Sequence, residues 1–192
     1  SSDVCSSDLY KADLERLGMP ADRLEIGGAF RFQAPVPAAI DPDGPTFAAL
    51  SSNLAAARQM LDAVRAVARH RRQFVVKAHP MYPIDIPESE SIRVTDRPLD
   101  EQEGLSGVLY CASVVGLEAA LAGLPTIRFL TDGGVAMNVL PAGVDLPTAD
   151  AASLDNALAN LSPPPAIEWG SIFADVDMDR WRRFLAGGSD PS

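Results

Sequence analysis

"GVLYCASVVGLEAALAGLPTIRFL" occupies residues 107–130, and its three parts differ in period. "GVLY" is an unbroken apolar run, without the polar alternation of a half-exposed strand. "VVGLEAALAG" is rich in helix formers and closes on Gly123, the residue type suited to a helix end. "TIRFL" is β-branched and aromatic again. Strand, helix and strand in this order make a βαβ crossover, which joins parallel strands of one sheet.

The same alternation continues outward. "TFAALSSN" (residues 46–53) predicts a strand running into a polar turn. In "LAAARQMLDAVRAVARHRR" (residues 54–72), Met60, Leu61, Val64, Val67 and Ala68 share one helical face. "QFVVKAHP" predicts a buried strand stopped by Pro80, and "SIRVTDRPL" another strand before the short acidic helix start "DEQEGL". "AGVDLPTA" and "DAASLDNALANL" add a strand and a helix, with Asp150 or Ser153 as cap. The segment "DVDMDRWRRFLAGG" predicts an Asp-capped helix. The fold class expected is therefore α/β: a parallel sheet with helices on both faces.

Upstream, "YKADLERLGMPADRLEIGGAFRF" (residues 10–32) predicts a short helix, a turn and a strand from Leu24. The Pro-rich "QAPVPAAIDPDGP" after it has the composition of a linker. The first nine residues, "SSDVCSSDL", have no apolar period. Reverse-translated, they are similar to one frame of a common sequencing-library adapter, so they are expected to be structureless and foreign to the fold. The domain division expected is residues 1–9 as this leader, 10–44 as the remnant of an upstream domain plus linker, and 45–192 as the main domain with its C-terminal helix.

The chain has 192 residues and a formal charge of -10, or -8 with Asp3 and Asp8 set aside. An acidic chain lacks the basic face that nucleic acid requires. With Cys5 set aside only Cys111 remains, so no disulfide framework is expected and a reducing compartment follows. His70 and His79 are the only histidines, which argues against a zinc site. No apolar run reaches the roughly 18 residues needed to span a bilayer.

Ligands of open α/β sheets sit beyond the carboxyl ends of the strands. That rule selects Ser51-Ser52-Asn53, Lys77-Ala78-His79-Pro80, and Ala112-Ser113 leading to Glu118. Lys77 and His79 alternate onto one side of a strand end. They make either an anion seat or a capped strand end with a satisfied histidine. Ser113 stands where a helix begins, as a phosphate contact or simply as a cap. Glu118 lies among alanines and leucines, where a carboxylate either faces a polar partner or is a solvated helix residue. Gly27-Gly28 reads as a close backbone approach or a bulge, and Asp175, Asp177 and Asp179 as capping residues, not as ligand or metal sites. No Walker loop and no GxGxxG motif is present.

Taken together, "K-x-HP" at Lys77–Pro80 and "S-x-x-G-x-E-A-x-x-x-G-x-P" at Ser113–Pro125 resemble the C-terminal, donor-binding half of GT-B-fold glycosyltransferases. The nearest likeness is to bacterial surface-carbohydrate and capsule enzymes. The resemblance covers roughly Leu24 to Leu161 and implies a Rossmann-like domain that binds a nucleotide-sugar donor. It implies donor-phosphate contacts from Lys77, His79, Ser113, Ser52 and Asn53, with His79 as the catalytic residue, and a ribose contact from Glu118. Two departures stand out: alanine lies between Lys77 and His79, and Ser113 is single rather than paired. The resemblance further implies no metal or other cofactor and a glycan or lipid-linked acceptor held by an upstream domain. The general base would lie upstream as well, and the enzyme would work in the cytoplasm or at the inner membrane surface. Two alternatives share these features: a non-hydrolysing sugar-nucleotide 2-epimerase, and a non-catalytic nucleotide-binding or assembly module.

On the leader reading, deleting residues 1–9 would leave the thermal midpoint unchanged. A midpoint lowered by several degrees in calorimetry would show that this leader is part of the fold.

Overall fold

The structure, a computed structural model, describes residues 3–5, 7–29, 37–69, 72–133, 140 and 143–186. The chain divides into two compact units, residues 1–34 with 167–192, and residues 35–166.

In the first unit, β1 (Asp3–Cys5) and β2 (Leu24–Ile26) pair in parallel. Helix α1 (Asp8–Arg16) is capped by Ser7, whose hydroxyl accepts from Tyr10 N–H. The structureless leader expected up to Leu9 is thus not what the structure contains. Cys5 is 7% exposed, and its thiol donates to the carbonyl of Glu25. The reason lies in β2, which has no other partner strand among the described residues. Main-chain pairing on an open edge is indifferent to side-chain identity. The same unit holds α5 (Trp169–Ile172) and α6 (Met178–Leu185).

The division also differs from the expected one, because α6 belongs with β2 and not with the larger sheet. Trp181 Nε1 donates to Gly27 O at 2.7 Å, Asp177 N–H donates to the same carbonyl at 3.0 Å, and the Arg180 guanidinium donates to Ile26 O. Asp177 caps α6 by accepting from Arg180 N–H at 2.9 Å, a bond that holds its carboxyl below the usual range. Gly28 has φ +78°, and a Cβ there would lie 2.2 Å from Asp175 O. Close backbone approach is therefore the function of this glycine.

The second unit is the six-stranded sheet, all parallel. Its strands are β3 (Thr46–Ala49), β4 (Phe74–Lys77), β5 (Ile92–Val94), β6 (Gly107–Tyr110), β7 (Thr126–Phe129) and β8 (Thr148–Ala149). Their order across the sheet is β5-β4-β3-β6-β7-β8. The chain builds outward on one side of β3, returns, and builds outward on the other. That is the doubly wound, Rossmann-like order.

Side chains alternate between two cores, as the strand period requires. Ala48, Phe74, Val76, Leu109, Ile127 and Phe129 pack with α2 (Leu54–Ala68) and α4 (Leu154–Ala159). All five residues of the expected α2 face are buried. Phe47, Ala49, Val75, Val108 and Tyr110 point the other way, where Ala119 of α3 (Val115–Leu121) and the following Leu124 cover them.

One contact sets how closely α3 lies on the sheet. Tyr110 is fully buried, and a Cβ on Gly116 would sit 2.3 Å from its ring. Only glycine lets the helix rest on a tyrosine there. The Tyr110 hydroxyl is buried with no hydrogen-bond partner among the described residues. Burial pushes its pKa up to about 12, so it stays a neutral phenol.

Gly116→Ala should destabilise the second unit by about 1–3 kcal/mol, the usual cost of overpacking a filled core. Tyr110→Phe should be neutral or stabilising by up to about 1–3 kcal/mol, since it removes a buried hydroxyl that has no partner among the described residues. Urea denaturation of both variants checks the pair. A tolerated Gly116→Ala would contradict the close approach.

Candidate functional site

The strand order reverses between β3 and β6. At such a point the loops leaving neighbouring strands diverge, one to each face, and open a crevice beyond their carboxyl ends. A cleft of about 160 Å³ lies there. Ser51 and Asn53 enter it from the end of β3, Cys111 and Ala112 from the end of β6, and Thr131, Asp132 and Gly133 from the end of β7. Ala55, Ala56 and Gln59 of α2 form the wall between them.

The polar groups at this end are largely committed to the chain itself. Asn53 Oδ1 accepts from Ala55 N–H at 3.0 Å and from Ala56 N–H at 3.2 Å, which caps α2. The buried Ser51 hydroxyl accepts from Asn53 N–H at 3.1 Å. These bonds fix the loop, and the positive end of the α2 dipole remains beside the cleft.

Of the residues singled out in the sequence, Ser51, Asn53 and Ala112 line this cleft; Ser52, Lys77, His79, Ser113 and Glu118 are not among the residues that form it. Ser52 is exposed in the turn before α2. Lys77 ends β4, and its Nζ donates to Asp96 O beyond β5, toward the sheet edge opposite β6. His79 forms a bridge with Tyr82; its Nδ1 accepts from Met81 N–H at 3.3 Å, and the two rings lie 5.7 Å apart. The Ser113 hydroxyl accepts from Val115 N–H at 3.1 Å at the start of α3. Glu118 is half-buried on α3.

The residues that sequence reasoning passed over are Gln59 and the Thr131–Gly133 segment. The strand-end rule that selected the other three turns applies equally to "TDGG" after "TIRFL", which is the signal that was available. Gln59 carried no signal, because a glutamine on a helix resembles any solvated residue.

Cys111 is 1% exposed, and burial pushes its thiol pKa up, opposed by the nearby Arg128 guanidinium. It is a small apolar wall residue rather than an activated nucleophile.

The fold these strands define is an α/β, Rossmann-like sheet of GT-B-like type. Two solved structures share it at low identity. TarM superposes with a TM-score of 0.50 and 8% identity, over 82% of this chain and 36% of TarM. The UDP-GlcNAc 2-epimerase of Methanocaldococcus jannaschii, solved with UDP-GlcNAc and UDP, superposes with a TM-score of 0.53 and 13% identity. That match covers 97% of this chain and 61% of the epimerase, so the chain spans less than two thirds of either neighbour. No family model matches the sequence, and no curated protein matches it in sequence. No helix among the described residues is long and apolar enough to cross a membrane.

In the native state at neutral pH, Cys111 should react with a thiol reagent only as fast as the domain opens. Reactivity should reach that of a free thiol in denaturant. Rapid native labelling, lost in Cys111→Ala, would show an accessible thiolate instead.

Proposed function

We propose that this chain carries the donor-binding half of a glycosyltransferase of surface-polysaccharide biosynthesis, and that the cleft between β3 and β6 receives a nucleotide sugar. The observation that carries this reading is the position of the cleft. It stands at the reversal of a doubly wound sheet, next to the amino end of a fifteen-residue helix, where a phosphate is favoured by the helix dipole. The likeness to an epimerase solved with UDP-GlcNAc and UDP supports the ligand class. The acceptor, a glycan or lipid-linked sugar, and the general base belong to an upstream domain on this reading.

Asn53, which lines the cleft, is assigned to the donor phosphates; Ser52, Lys77, His79 and Ser113 (phosphates, with His79 on the leaving phosphate) and Glu118 (ribose) lie outside the cleft lining and take those roles only with a donor that extends beyond it. The geometry of His79 suits that role in one respect. With Nδ1 accepting from Met81 N–H at 3.3 Å, Nε2 is the ring nitrogen that would donate to a phosphate. On this reading no metal is needed: charge developing on the departing phosphate is met by the helix end and the imidazole N–H.

UDP or CMP should raise the thermal midpoint of this chain, and Ala112→Asp, which places a carboxylate in the cleft, should abolish the rise without unfolding it. In the full-length enzyme His79→Ala should lower turnover by about 10²–10³-fold. No stabilisation by either nucleotide at millimolar concentration, or full stabilisation of Ala112→Asp, would remove the cleft from the argument. Conversion of UDP-GlcNAc to its C2 epimer would favour the epimerase reading.

A further inference from the structure

Gln59 makes an unusual pair of bonds across the cleft. Its Nε2 donates to Asp132 O at 3.3 Å, and its Oε1 accepts from Asp132 N–H at 2.9 Å. One carboxamide thus satisfies both main-chain groups of a single residue, as a neighbouring strand would. The orientation of the amide follows from its partners, because the flipped group would set donor against donor and acceptor against acceptor. The two residues are far apart in sequence and come from different walls. Gln59 projects from the second turn of α2, and Asp132 belongs to the turn that follows β7.

Both residues line the cleft, and Thr131 and Gly133 flank the fastened residue on the same rim. The Asp132 main chain has no ladder to join, since β7 ends at Phe129 and the last ladder bond on this side is Leu130 N–H to Ala149 O. Gln59 is therefore the group that ties this rim to the helix whose amino end faces the same space. Gln59 is half-exposed, with the exposed Arg58 and Asp62 nearby on α2, and its two bonds give the neutral amide a role that neither charge could perform.

We propose that Gln59 is the positioning residue of this cleft: its carboxamide holds the Thr131–Gly133 rim against α2 and thereby sets the shape that a ligand meets. The inference that this shape governs nucleotide affinity rests on the function proposed above; the fastening itself does not. An ammonium or a carboxylate at position 59 could make only one of the two bonds, and an alkyl chain neither.

Two substitutions test it. Gln59→Met keeps the length and removes both bonds, whereas Gln59→Glu keeps the acceptor for Asp132 N–H and loses the donor to its carbonyl. Amide hydrogen exchange at Asp132 should quicken by about tenfold in Gln59→Met and much less in Gln59→Glu, with the exchange of the β3 and β6 amides unchanged. The dissociation constant for UDP should rise by about tenfold in Gln59→Met. Unchanged exchange at Asp132 in Gln59→Met overturns the proposal. Quickened exchange with unaltered UDP affinity overturns the positioning role. Exchange quickened across β3 and β6 overturns it too, because Gln59 would then support the whole unit. If the unsubstituted chain binds no UDP, the functional reading fails, and the Asp132 amide alone decides the fastening.

Discussion

Strand β3 is the constraint on which the rest of the larger unit depends. It is hydrogen-bonded on one edge to β4 and on the other to β6, with Thr46, Phe47, Ala48 and Ala49 all buried. From β3 the chain crosses to β4 and from β6 to β7, in opposite directions, so right-handed crossovers send it to opposite faces of the sheet. The cleft is a consequence of that geometry before any side chain is chosen. Buried parallel pairing also explains why β3 after Thr46, β6 and most of β4 and β7 are apolar, since neither face of the sheet meets water.

Around this strand the fit is decided at a few close contacts. Gly116 lets α3 settle on the Tyr110 ring, and the carboxamide of Gln59 ties the turn after β7 to α2. Each acts where a helix meets the carboxyl end of the sheet. Small residues do much of the rest: Ala55, Ala56 and Ala112 keep side chains out of the cleft. The resulting space has a polar rim and a floor of methyl groups, which suits a ligand with both charged and apolar parts.

The loops at this end are internally satisfied. Asn53, Ser51 and Ser113 spend their side-chain oxygens on nearby main-chain N–H groups. A ligand entering the cleft therefore meets a preformed wall and a helix dipole. Such preorganisation lowers the ordering cost of binding. It also separates two roles that the residue types alone do not distinguish, since a serine or asparagine before a helix caps it whether or not anything binds.

The sequence by itself determined the layering. The apolar runs at residues 74–76, 107–110 and 126–129, the periodic face of α2 and the closing Gly123 each carry a local signal, and each became the expected element. It determined as well that Gly27-Gly28 and Asp177 are structural, because close approach and capping are local habits of those residues. What only the tertiary structure decided was neighbourhood. That β6 returns to lie beside β3, that Lys77 reaches toward Asp96 instead of the cleft, and that Gln59 meets Asp132 all depend on strand order. The pairing of Asp3–Cys5 with β2 and the attachment of α6 to Gly27 are of the same kind. Periodicity reports how one segment faces the core; which segments then stand side by side is set by the competition of all of them for the same sheet edges, and no single stretch of the chain encodes it.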